Sequence, residues 1–190
     1  MKNRLFNVAI LFMIISLISL ACKINVGGEK PAETPIPVSE DAADTMKSII
    51  DSATISGTQN DKVAFTVTEE QVTSLAAEQL ANNPDYNLTD PQIYLRDGKI
   101  DVYAVYNQQY FEATIHLVLS ATVDENGQLK VTIEDANLGP IPTSQNTLNT
   151  LSGMIDSTIT NSLLPTATGF RIESIYIADG MATISGTITQ

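Results

Sequence analysis

From Phe111 to Val123 the sequence FEATIHLVLSATV alternates without a break. Phe111, Ala113, Ile115, Leu117, Leu119, Ala121 and Val123 fall in one phase, and Glu112, Thr114, His116, Val118, Ser120 and Thr122 in the other. A side-chain period of two belongs to a β-strand, so the stretch reads as a strand with one dry face and one wet face. Strands usually run about 5–6 residues, so one this long needs neighbours along its whole length, and the flanking sequence supplies them. Ile93 and Leu95 precede Asp97-Gly98, a two-residue hairpin turn, and Ile100, Val102, Ala104 and Tyr106 share one phase beyond it. Asp124-Glu125-Asn126-Gly127 turns the long strand back into Leu129, Val131 and Ile133. These four strands form an antiparallel meander, apolar on one face.

Helical patterns flank the meander. Val63, Phe65 and Val67 predict a strand, followed by Thr68-Glu69-Glu70-Gln71, which has the form of a capping box. Val72, Leu75, Ala76 and Leu80 then recur at i, i+3, i+4 and i+8, predicting a helix over 69–82 that ends at Asn83-Pro84. After the rigid link Leu138-Gly139-Pro140-Ile141-Pro142, the spacing of Leu148, Leu151, Ile155, Ile159 and Leu163 predicts a second helix over 144–163. Phe170 and Ile172, then Ile175 and Ile177, lead through Asp179-Gly180 to Ala182, Ile184, Gly186 and Ile188, and the phase slip after Ile172 predicts a bulge. A short helix is expected over 42–53. Strand, helix, four-strand meander, helix and hairpin is an α+β order: a long curved antiparallel sheet packed on two helices.

The N-terminus reads as an address. Lys2 and Arg4 precede an almost wholly apolar run, Leu5 to Leu20, which ends on Ala21-Cys22. A basic start, an apolar middle and a small residue before the cut describe a secretory signal, and the run is shorter than the ~20 residues that span a bilayer comfortably. Ending on Ala-Cys resembles a bacterial lipobox, with Ser19 at the position three before the Cys where Leu is usual. The expected organisation is a signal peptide at 1–21, an acylated Cys22 and a tether through residue 61, and a domain over 62–190. Gly27-Gly28, Pro31, Pro35 and Pro37 mark the tether, whose flexible span would be roughly 25 Å. The domain would then lie outside the cytoplasm, at a cell surface or in a periplasm, held to membrane lipid through Cys22.

Composition removes several functions. The formal net charge is −12, and loss of residues 1–21 leaves eight basic against 22 acidic residues, a charge of −14. Nucleic acid needs clustered Lys and Arg and is not expected as a partner. One Cys permits no intrachain disulfide and no multi-thiolate zinc site, and one His permits no histidine-rich metal site. His116 falls on the wet face of the long strand, where a solvated side chain is expected. Asp124, Glu125, Glu134 and Asp135 do not make a calcium loop, because Asp124 to Gly127 already reads as a turn. No catalytic residue, metal or cofactor is expected, and the protein is not read as an enzyme. Tyr103, Tyr106, Tyr110 and Phe111 sit near one strand end, as sheet packing or as an aromatic lip.

The succession FTVTEEQVTSLAAEQL, PQIYLRDGKIDVYAVY, VTIEDANLGPIPTSQNTLNTLSGMID and FRIESIYIADGMATISG resembles small bacterial extracytoplasmic proteins of the LmeA-like phospholipid-binding type. These are distant relatives of the tubular lipid-binding modules of bactericidal/permeability-increasing protein. The resemblance covers about residues 62–189 and rests on apolar patterns and turns. It implies a curved sheet wrapped around a helix, half of a tubular lipid-binding module, with an apolar groove for acyl chains. The alternation places candidate lining residues at Leu75, Leu80, Val102, Ile115, Leu117, Leu119, Leu151 and Ile155, with small residues Ala104, Ala113, Ala121, Ala182 and Gly186 leaving room. The alternative is an envelope scaffold with a solid core, binding an unknown protein partner.

Overall fold

The computed structural model describes residues 24–25, 28–55, 61–139, 145–158 and 170–188. Its elements are β1 (Ile24–Asn25), α1 (Glu40–Ile55), β2 (Lys62–Thr68), α2 (Glu69–Asn82), a 3-10 turn (Pro84–Tyr86), β3 (Leu88–Arg96), β4 (Lys99–Asn107), β5 (Phe111–Val123), β6 (Leu129–Asn137), α3 (Gln145–Thr158), β7 (Phe170–Ala178) and β8 (Met181–Ile188). The class is α+β, antiparallel sheets packed on helices. The signal segment 1–21, Cys22, the Pro140-Ile141-Pro142 part of the link and the expected helix beyond Thr158 lie outside the described residues.

The strands divide into two sheets where one was expected. β3, β4, β5 and β6 form the meander, with β1 pairing parallel to the start of β5; β2, β8 and β7 form the second sheet. The sheets meet where two turns interlock. Both Asp97-Gly98 and Asp179-Gly180 have positive φ at each residue, the geometry of the tight hairpin turn that suits a twisted ladder. The Gly98 N–H donates to the Ile177 carbonyl and the Gly180 N–H to the Leu95 carbonyl, each at 3.0 Å. A further backbone bond joins them at the β5–β6 turn, where the Ile172 N–H donates to the Gly127 carbonyl at 2.9 Å. Among the described residues the two sheets share no ladder, so the curvature is a fold line. The bulge after Ile172 is present, between Ile172 and Ser174.

Local signals set the helices. Thr68 Oγ1 accepts from the Gln71 N–H at 3.3 Å while Gln71 Oε1 accepts from the Thr68 N–H at 2.9 Å, a complete capping box. α1 is capped by Ser39, whose Oγ accepts from the Ala42 N–H at 3.2 Å, and Glu40 and Asp41 fill its first turn. Ala43, Met46, Ile50 and Ala53, spaced three, four and three apart, are buried. A third helix therefore joins the core, and the folded unit begins before residue 62.

Residues 28–39 depart further from the expected free tether, because they lie across the outer face of the meander. The Ile36 N–H donates to Gln92 Oε1 at 2.6 Å and Gln92 Nε2 returns to the Ile36 carbonyl at 3.3 Å. The Tyr94 hydroxyl donates to the Thr34 carbonyl at 3.4 Å, and Arg96 pairs with Glu33 at 2.6 Å. Gly28 has φ +138, and a Cβ there would sit 2.1 Å from the Thr114 carbonyl oxygen. Prolines exclude helix and central strand, but they suit an extended strap whose polar groups are met by side chains.

Candidate functional site: an apolar cleft between sheets and helices

The inward phase of β5 behaves as its alternation requires: Ala113, Ile115, Leu117 and Leu119 are buried. Register then carries that face across the sheet. Ile115 lies opposite Ala104, Leu117 opposite Val102 and Leu119 opposite Ile100 on β4, and Ala121 lies opposite Val131 on β6. Two apolar clusters pack on this surface. One joins α1, α2, β3 and the second sheet, and the other joins β4, β5, β6, Leu138 and α3. Ile100 and Val102 border both clusters, yet each keeps some accessible surface. Between the clusters there is space.

That space is a partly open cleft of about 270 Å³. Its walls are almost wholly apolar, and all eight lining candidates stand on them: Leu75 and Leu80 of α2, Val102 of β4, Ile115, Leu117 and Leu119 of β5, and Leu151 and Ile155 of α3. Alternation and helical spacing were enough to find these. Met46 and Ile50 of α1, Phe65 and Val67 of β2, and Ile175, Ile177 and Ile184 of the second sheet also line it and were not anticipated. The three-four-three spacing of Ala43, Met46, Ile50 and Ala53 was the available signal for α1. Nothing in the sequence pairs the terminal hairpin with the meander.

Small residues account for part of the opening. Ala104, Ala121 and Ala182 line the cleft. Ala113 is fully buried and stands outside it. Gly186 serves a different purpose from the expected one: a Cβ there would lie 2.2 Å from the Arg171 carbonyl oxygen and 2.7 Å from the Phe170 ring. It permits the close backbone approach at the β7–β8 bulge. The polar side chains on the cleft wall, Gln79, Asn83 and Tyr86, gather at and just beyond the C-terminal end of α2, where Asn83 is exposed and Tyr86 half-buried.

The outer face of the meander carries the other concentration of polar groups. His116 is not solvated as expected: its side chain is 11 % exposed, and its ring stacks on Tyr103 with centroids 4.1 Å apart. Its Nε2 lies 3.1 Å from Asp101 and its Nδ1 3.4 Å from Glu29 of the strap. With both ring nitrogens facing carboxylates, the imidazole has none left to serve a nucleophile. Burial first, then nearby carboxylates, raises the hydroxyl pKa of Tyr94 and of Tyr103. Tyr103 faces outward and Tyr106 packs inward, so the four aromatics do not form one lip.

Asp124 closes its turn, with Oδ1 accepting from the Asn126 and Gln128 N–H groups at 2.9 and 2.8 Å, and Glu134 pairs with Lys99. Among the described residues no group of His, Cys, Asp and Glu could hold a metal, and no helix is long and apolar enough to cross a membrane. A scan against models of protein families finds none that matches the chain, and a search of curated proteins finds no match either.

Proposed function

We propose that this is a membrane-anchored extracytoplasmic lipoprotein whose domain takes up a lipid acyl chain, or another elongated apolar ligand, in the cleft between sheets and helices. The observation that carries this reading is the cleft: about 270 Å³ of apolar-walled space, where an apolar cavity of about 150 Å³ already admits benzene. The lining row Ile115 to Ala121 on β5 extends about 20 Å, against roughly 15 Å for the hydrocarbon of one leaflet. A guest that touches the whole row is elongated.

The mechanism is exchange between two apolar surroundings. A chain moving from a bilayer into the cleft trades hydrocarbon for Leu, Ile and Val side chains, so the net free energy is small. Exposure to water on the way would cost about 0.8 kcal/mol per CH₂. A lipid anchor on Cys22 would keep the cleft close to its source. The likeness to LmeA-like proteins points the same way. No nucleophile, metal or cofactor enters this mechanism.

A photoactivatable fatty acid, crosslinked to the purified protein and mapped by peptide mass spectrometry, tests the reading. Adducts are expected on β4, β5, α2 and α3 at the lining positions. Adducts confined to the outer surface would contradict it.

A further inference from the structure

β1 lies beside one end of the domain. Ile24 and Asn25 pair in parallel with Phe111 and Glu112 at the beginning of β5, so Ile24 stands beside the β4–β5 turn. One residue, Lys23, separates Cys22 from Ile24, a reach of at most about 7 Å. At that turn stands Tyr110, whose side chain is 75 % exposed. The polar part of the cleft wall, at Asn83 and Tyr86, is at the same end. Leu88 lies opposite Tyr106, and the Asn107 N–H donates to the Asn87 carbonyl at 2.7 Å, so the segment 83–87 abuts the β4–β5 turn.

We propose that this end is the membrane-docking surface: Tyr110 and the β4–β5 turn rest in the headgroup layer and hold the polar end of the cleft, at Asn83 and Tyr86, against the bilayer, so that a chain enters there. The inference rests on the lipoprotein reading of Cys22 and adds an orientation to it. The partner is a bilayer surface of zwitterionic phospholipid. No Lys or Arg occurs in 79–91 or 103–115, whereas Asp85, Asp90 and Glu112 do, and Lys23 beside Cys22 offsets only one of these three, so an anionic surface would repel this end. The amide and hydroxyl side chains of Asn83, Asn87, Gln108, Gln109 and Tyr110 instead suit an uncharged interface, where tyrosine is favoured. Exposed Tyr176 and Met181 belong to the β7–β8 hairpin. That hairpin adjoins the opposite turn, Asp97-Gly98, and the anchor directs it away from the membrane.

The test uses the full chain, purified with its lipid, on phosphatidylcholine vesicles, with a fluorophore on Gln109→Cys or on Glu125→Cys. These exposed turn positions flank β5, whose ends are about 40 Å apart. With a nitroxide-bearing phosphatidylcholine as quencher, the label at 109 should lose most of its fluorescence and the label at 125 should keep it. Equal quenching, or stronger quenching at 125, in protein that floats with the vesicles overturns the orientation and leaves the anchor standing. Failure to float, or flotation unchanged in Cys22→Ala, overturns the anchor and the orientation together.

Discussion

The Glu69 carboxylate, in the first turn of α2, accepts the backbone N–H of Leu95 on the neighbouring edge strand at 2.6 Å. Two residues earlier on that strand the Ile93 N–H donates to Thr73 Oγ1 at 3.2 Å. β3 is the outer strand of the meander, and an open edge is a template for pairing with another chain. Here one helix covers it with side-chain acceptors at alternate residues, while its other face presents Val72, Leu75, Ala76 and Leu80 to the cleft. The same helix seals the edge and walls the site.

Glu69→Ala therefore removes an acceptor from a largely buried backbone donor and the partner of Arg96, and should cost about 1.5–3 kcal/mol. Glu69→Gln keeps an acceptor oxygen and should cost less. Urea unfolding measures both. Light scattering should show self-association for the alanine variant alone.

The cleft can be closed from within. Ala104 is buried opposite Ile115 and faces the space, so Ala104→Leu should stabilise the fold by roughly 0.5–2 kcal/mol and weaken binding of a fluorescent fatty acid. Leu117→Ala should destabilise instead, costing about 2–5 kcal/mol while leaving uptake in place. A melting curve and a binding titration on each variant separate the two effects.

Gly186→Ala should destabilise by about 1–3 kcal/mol through overpacking, because its Cβ would meet the Arg171 carbonyl at 2.2 Å. Gly98→Ala meets no neighbouring atom and should show only the strain of its positive φ. Thermal denaturation of the pair tells steric conflict from backbone conformation.

How much of this was legible follows from where each signal resides. The capping box at Thr68 and Gln71, both Asp-Gly turns and the inward phase of β5 depend on neighbours a few residues apart, and all formed as written. The lining residues followed from the same periodicities. The strap was illegible, because Gln92, Tyr94 and Arg96 hold it from about sixty residues away. For His116 alternation gives the correct outer face but not its burial, which comes from the strap's Glu29, the stacked Tyr103 and Asp101.

Acid should loosen the β5–β6 hairpin first. Hydrogen bonds from the Gln128 backbone, and then from Asn126, hold the Asp124 carboxyl below its ordinary pKa, and the Lys99 hydrogen bond does the same for Glu134. A depressed folded pKa stabilises above the unfolded value and is lost as pH falls through the folded one. Stability should therefore drop below the ordinary carboxylate range. Asp124→Asn should differ from the parent near neutrality and converge with it in acid, as amide exchange at Asn126 and Gln128 would report.

Native mass spectrometry of the protein purified from cells without added lipid addresses the central claim most directly. The account predicts a bound species of lipid mass that Ala104→Leu diminishes and that is released as a neutral or zwitterionic lipid. A single mass equal to the acylated chain alone, at every solution condition that preserves the fold, would contradict it.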